Sequence, residues 1–282
     1  MATRRSKRAR VAIEALKHRV RSTLSADLQR FGRQLSSMSR AAHAAATALL
    51  SANELAGRRL AHWDAFGLGA DYIEHGLFSW ERSFYPRLLR PASRVLLVGC
   101  GSGREMLVLL EEGHDVIGID PAARAIAIAG HKLIERGARP TLVKTGRLTE
   151  LQLGDRFDAV IFTWFTYSYI LGSAARVRDL ERAAELLRAG GRVLISVPDL
   201  AGPGPSRLNS LMQQVGRLSG NDWVAEAGDV FDSTGATGTW FQHHFAAGEL
   251  DSEAHKAGLR IVERRAYDGV MMLELVSAAP SR

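Results

Sequence analysis

The chain has 282 residues, 46 % of them apolar, and no apolar run reaches the 18 or so residues of a membrane-spanning helix. Its formal net charge is +7, but residues 1–50 hold 11 Lys/Arg and 2 Asp/Glu while residues 51–282 hold 26 and 28, so the body is close to neutral. The single cysteine, Cys100, excludes an intramolecular disulfide and a cysteine-cluster zinc site, and a reducing cytoplasm is the expected compartment.

Residues 1–60 read as a basic, helical extension. Ile13, Leu16, Val20, Leu24, Leu28, Phe31, Leu35 and Met38 recur at intervals of 3 or 4, the helical period. Arg19, Arg21, Arg30, Arg33 and Arg40 lie off that stripe, and Gly32 is a point where the helix would loosen. Residues 41–60 continue helical and Ala-rich. No continuous apolar stretch marks a secretory signal. An organellar presequence shares the Arg-rich, acid-poor start, but the helix pattern runs on past the usual length of one. The stripe would pack on its own domain, on a second subunit in a homodimer, or on an anionic surface, the last making the protein peripheral at a membrane. A nucleic-acid contact is the remaining alternative.

From Arg94 the pattern changes to short apolar strands alternating with helices. Strands are expected at 95–98, 115–119, 140–144, 157–163 and 192–197, with helices at 104–112, 121–137 and 177–189, the last stopped by Gly190-Gly191. Such alternation implies βαβ units and a parallel sheet covered on both faces. Residues 199–239 interrupt it with Gly202, Pro203, Gly204 and Pro205 and a short helix near 208–218, and read as an insertion. A helix at 249–257 and strands at 259–265 and 270–276 end the chain. The domain reading is therefore 1–60, then 61–282 with its insertion.

The strongest motif is the first strand running into Gly99-Cys100-Gly101-Ser102-Gly103, then a helix, then a second strand ending at Asp120. Glycines let the backbone turn tightly and approach a ligand. The helix start offers free N–H groups. An acid some twenty residues on accepts hydrogen bonds from ribose hydroxyls. The dinucleotide fingerprint G-x-G-x-x-G would need a glycine where Arg104 stands.

Val98-Gly99-Cys100-Gly101-Ser102-Gly103, with Asp120, Phe157-Asp158 and Gly190-Gly191 in order, resembles the class I S-adenosylmethionine-dependent methyltransferases. The likeness covers about 94–198, with a tail through 240–276. Gly101-Ser102-Gly103-Arg104-Glu105, together with Arg176-Val177 and Leu180, is similar to a poorly characterised bacterial subgroup acting on small molecules. The resemblance implies a Rossmann-like, doubly wound α/β fold of seven strands with an antiparallel last strand. It implies S-adenosyl-L-methionine as cofactor, held by Gly99, Cys100, Gly101, Ser102, Gly103, Asp120, Pro121 and Thr163. The loop after the third strand, Thr145-Gly146-Arg147-Leu148, lacks the acid many relatives carry there, so the backbone of Arg147 or Leu148 stands for the adenine contact. Cys100 reads as a small loop residue, and Arg104 as a partner of Glu105, Glu111 or the cofactor carboxylate.

Methyl transfer from a sulfonium needs alignment, and a base only where the acceptor carries a proton that must leave. Tyr167 belongs to an aromatic group with Trp164, Phe165 and Tyr169, readable as acceptor wall or as core. His243 and His244 lie in the segment expected to return over the acceptor pocket, as a base or as a structural hydrogen-bond group. The [ND]-P-P-[YF] motif of nucleic-acid amino-methylation is absent, since Thr163-Trp164-Phe165-Thr166 stands there. No acid lies between Asp158 and Asp179, so no metal is expected. The leading reading is a small-molecule O- or N-methyltransferase. The others are an RNA or protein methyltransferase using the basic helix, and a non-catalytic cofactor-binding scaffold.

Overall fold

The computed structural model describes residues 2–65, 73–154, 156–199, 207–232 and 238–278, with side chains from residue 21 onward. Two N-terminal helices, α1 (Ala2–Ala48) and α2 (Ala52–Ala65), precede α3 (Ser79–Leu88). Then come β1 (Arg94–Val98), α4 (Arg104–Glu111), β2 (Asp115–Asp120), α5 (Ala123–Glu135), β3 (Val143–Thr145) and β4 (Phe157–Phe162). The chain continues with α6 (Ser173–Glu185), β5 (Leu187–Pro198), α7 (Arg207–Ser219), β6 (Asp229–Asp232) and β7 (Trp240–His243). It closes with α8 (Glu249–Lys256), β8 (Leu259–Tyr267) and β9 (Val270–Ser277).

Seven strands form one sheet in the order β3-β2-β1-β4-β5-β9-β8. The first five pair in parallel, and β9 runs antiparallel to both β5 and β8. Strand residues are apolar on both sides because both sides are covered. Leu96, Val98, Val160 and Ile195 pack with Leu180 and Ala183 of α6 and with Ala254 of α8. Val95, Leu97, Ile161 and Leu194 pack with Phe84 of α3, Leu109 of α4 and Leu133 of α5. From β1 the chain winds outward to β2 and β3 on one side, while β4 lies on the other. Such a switch point opens a crevice at the carboxyl ends of the two central strands.

Several boundaries differ from the sequence expectation. Gly190-Gly191 does not stop a helix. The pair sits inside β5 as a bulge, where pairing with β4 shifts between Phe157–Leu187 and Ala159–Arg192. Residues 140–142 form a 3-10 turn ahead of a shorter β3. Helix α3 carries Pro86 and was not anticipated. Residues 240–243, given no strand in the sequence reading, pair with Asp229–Asp232 as a separate two-stranded ribbon.

The N-terminal extension also departs from its reading. Helix α1 is continuous through Gly32. From residue 21 its stripe does not pack on its own domain, because every residue from 21 to 40 is exposed, while the side chains of Ile13, Leu16 and Val20 lie outside the described residues. Contact comes later, through Ala44 and Ala48 against Met212 and Ala225. The break falls at 49–51, and α2 runs through the boundary drawn between 60 and 61. Leu55 of α2 is fully buried, and Asp64 Oδ1 accepts the Arg124 amide at 3.2 Å. Helix α2 is thus part of the body. Leu55→Ala should lower stability by about 2–5 kcal/mol, the cost of an unfilled core position, measured by urea unfolding of the full chain.

Candidate active site

At the end of β1 the backbone passes through three left-handed glycines, Gly99, Gly101 and Gly103, with φ of 79°, 52° and 94°. Two of them do different work. A side chain on Gly99 would overlap Thr166, so the loops after β1 and β4 can cross only there. Nothing lies near the missing side chain of Gly101, which leaves its backbone open to the crevice. Thr163 ties the crossing from below, its hydroxyl donating to the Gly99 carbonyl and its amide to Val98 O at 3.1 Å.

Asp120 ends β2 on the opposite lip. Its carboxylate accepts the Gly101 amide at 3.0 Å and the Ala122 amide at 2.8 Å. Burial pushes its pKa up, against the pull of those two amides. A carboxylate has further acceptor sites, which suit hydroxyl donors. Cys100 points away from ligand chemistry: its Sγ fills the space a Cβ on Gly118 would need, and burial pushes the thiol pKa well up. Arg104 finds a partner the sequence reading missed. Its guanidinium meets Glu81 of α3 in two hydrogen bonds, at 2.6 and 2.7 Å, with Glu105 at 3.5 Å. Glu111 pairs with Arg136 instead.

The crevice encloses about 1200 Å³ with its open mouth included. Gly99, Cys100, Gly101, Ser102, Asp120, Pro121, Arg147 and Thr163 all border it. Gly103 does not; it packs against Ala129 of α5. Among the bordering residues not singled out from sequence are Arg59 and Trp63 on α2, and Asp179 on α6. Trp63 meets Tyr169 with ring centroids 4.6 Å apart. Arg59 donates to the Tyr169 carbonyl and lies 4.8 Å over the Phe241 ring, while its Nε has no partner among the described residues. Burial pulls its pKa down to about 10, and Arg147 pushes the same way. Asp179 makes no hydrogen bond or ion pair among the described residues. Burial lifts its pKa to about 6, against the pull of Arg147 and Arg178. An acid two turns into a helix carries no local signal of such a place; only the packing of α6 on the sheet brings it there.

The aromatic group after β4 divides. Trp164 and Phe165 take left-handed φ of 26° and 63°, which non-glycine residues adopt at a cost. The turn leaves Trp164 and Tyr169 on the crevice wall. Tyr167 goes into the core, stacked on Phe245 and donating to Glu253 at 2.6 Å. Tyr167, His243 and His244, the three expected catalytic residues, do not border the crevice. His243 is fully buried between Asp229, at 2.7 Å, and Glu249, at 2.9 Å. His244 points to neither carboxylate, and burial lowers its pKa. Both histidines were expected over the acceptor because their segment follows the insertion in the chain. Pairing of β7 with β6 turns it into the core instead.

Behind the wall, fully buried Arg176 bonds Glu253 at 2.7 Å, Glu226 at 2.9 Å and Glu249 at 3.2 Å. Glu226, Asp229 and His243 lie close enough to suggest a cation site. The guanidinium already neutralises Glu226, and both nitrogens of His243 are engaged by carboxylates. For His243, burial lowers the pKa, but the bonds to Asp229 and Glu249 outweigh it and raise it to about 9. A raised folded value stabilises below the unfolded value near 6.5 and is lost as pH rises through about 9. Unfolding free energy should therefore fall by something on the order of 3 kcal/mol between those limits, and His243→Gln should remove that slope in pH-dependent urea titrations.

Residues 95–191 match the family model described as a methyltransferase domain. Over 117 residues the chain is 33 % identical to the ubiquinone biosynthesis O-methyltransferase of Azorhizobium caulinodans, which is 39 % of this chain and 43 % of that protein. The chain thus spans under half the length of that relative. Among solved structures it is similar to the CcbJ methyltransferase of Streptomyces caelestis, with a TM-score of 0.54 at 20 % identity over 71 % of this chain and 89 % of that one. The glycopeptide N-methyltransferase MtfA, solved with S-adenosyl-L-methionine, gives 0.51 at 16 % identity over 75 % and 89 %. The open glycine turn, the acid facing it across the switch point and the family match over the same strands carry one conclusion: residues 95–191 are a methyltransferase domain, set in the Rossmann-like fold of the class I S-adenosylmethionine-dependent enzymes.

Proposed function

We propose that the protein moves a methyl group from S-adenosyl-L-methionine to an oxygen or nitrogen of a small-molecule acceptor. The observation that carries this is the crevice bordered by Gly101 and Asp120 and, on α2, by Arg59 and Trp63. Its residues fit the cofactor: Gly101 leaves open backbone where a ligand would approach closely, and Asp120 keeps acceptor capacity for ribose hydroxyls. Gly99, Cys100, Ser102 and Thr163 would line the methionine side, with Pro121 and Arg147 toward the adenine. When bound, the cofactor supplies a methyl on a sulfonium, ready for a single in-line displacement.

What the chain adds is placement and proton handling. Trp63, Trp164 and Tyr169 form an aromatic wall that excludes water and holds a flat or apolar acceptor. Asp179 is the carboxylate we assign to the acceptor's departing proton, in place of the histidines and Tyr167. It borders the crevice, has no described partner, and titrates near the range a general base needs. With α2 at the crevice border, a small acceptor is favoured over a large one. The named relatives include an O-methyltransferase and an N-methyltransferase, so either acceptor atom suits this fold.

Asp120→Ala should weaken cofactor binding by about 1–3 kcal/mol, read by calorimetry; unchanged affinity would remove the ribose from Asp120. Asp179→Asn should lower kcat by about 10²- to 10⁴-fold while leaving cofactor affinity in place. In the parent enzyme the rate should rise with pH through about 6, as Asp179 loses its proton. The variant should lack that limb in an acceptor screen with labelled methyl donor.

A further inference from the structure

We infer that α1 lies on an anionic lipid surface, with its apolar stripe among the acyl chains. From residue 21 onward the stripe is bare in the folded chain. Leu24, Leu28, Phe31, Leu35 and Met38 are each between 50 and 69 % exposed. At about 100° per residue they share an arc of roughly 80°. The body holds the helix from the other side, through buried Ala44, Thr47 and Ala48, which project roughly 140–240° from the centre of the stripe. Docking therefore turns the stripe outward, and its own domain cannot cover it.

The rest of the helix is basic. Arg21, Arg30, Arg33 and Arg40 project outside the apolar arc, and Asp27 is the one acid between residues 21 and 50. A Leu/Phe face joined to an Arg face matches the two layers of an anionic membrane surface. Acyl chains take up the stripe, and lipid phosphates meet the guanidinium groups. Helix α1 spans 47 residues, about 70 Å at the usual rise. No described helix is long and apolar enough to cross a membrane, so α1 would lie along the surface.

The competing occupants fit less well. A second copy would need a heptad seam flanked by complementary charges. The flanks here are Ser25, Gly32 and Ser39 on one side, Asp27 and Gln34 on the other. From Leu24 to Met38 the spacing averages 3.5, the heptad value, so the charges along the flanks, and not the period, tell a second copy from a lipid surface. Two such helices would also bring like charge together. A nucleic acid would engage the arginines and leave the stripe in water.

The test is flotation of the full chain with vesicles of phosphatidylcholine, alone or mixed with phosphatidylglycerol. We expect binding at least about tenfold tighter to the mixed vesicles, weakened by salt, and lost in the Phe31→Ser/Leu35→Ser variant. That variant keeps the charge, and both side chains are exposed by half or more, so its thermal unfolding and cofactor affinity should match the parent. Failure of cofactor binding in both proteins would count against the proposed activity and leave the vesicle result standing. Absence of vesicle binding overturns the inference, as does binding that survives the double substitution. A dimer seen by light scattering that the variant dissociates, without vesicle binding, would assign the stripe to a second copy. Salt-sensitive binding to RNA in place of vesicles would equally overturn it.

Discussion

Everything at the candidate site depends on one crossing. The loop after β1 and the loop after β4 pass each other at the carboxyl edge of the sheet, and Thr166 occupies the volume where Gly99 has no side chain. Any Cβ at that position would push the loops apart. With the crossing closed, Thr163 can reach the Gly99 carbonyl, and Gly101 is held facing open space opposite Asp120. The left-handed turn at Trp164 and Phe165 begins directly after Thr163, so the same crossing sets which aromatic rings reach the crevice and which enter the core.

Two buried charge clusters hold the walls around that crossing. Arg104 at the start of α4 is bound to Glu81 of α3, which joins an N-terminal helix to the glycine loop. Arg176 on α6 binds three glutamates from the insertion and α8, which joins the insertion to the segment behind Ile170 and Tyr167. Burying such groups is costly, and a well-packed apolar set would be as stable or more so. Removing one member, however, strands a charge without solvent. These pairs therefore fix which elements meet, more than they add net stability.

Helix α2 changes the meaning of the N-terminal extension. The basic composition of residues 1–50 invites a single reading for the whole segment. In the structure it divides. Residues 21–40 are free of the body and carry the apolar stripe with its arginines. From Ala44 onward the chain is bound to the body, and Arg59 and Trp63 border the crevice. One half stands bare of the body, and the other borders the crevice. The division falls inside α1, ahead of the break at 49–51.

The amino-acid sequence alone determined the alternation of strands and helices, the glycine turn, Asp120 as the acid facing it, and the helical stripe of α1. All are local patterns: apolar period, φ freedom, and spacing along consecutive elements. Eight of the nine residues expected to hold the cofactor border the crevice, because they lie at the carboxyl ends of neighbouring strands of one sheet. Only the tertiary structure decided the acceptor side. Tyr167 and His243 looked catalytic by position in the chain, yet both are buried against carboxylates, since β6 pairs with β7 across a gap in sequence. Arg59 and Asp179 looked like ordinary helix charges, yet both reach the crevice, because α2 and α6 pack against its rim. Side chains gathered from distant elements leave no periodic trace in the sequence, and their placement rests on packing that pattern alone does not encode.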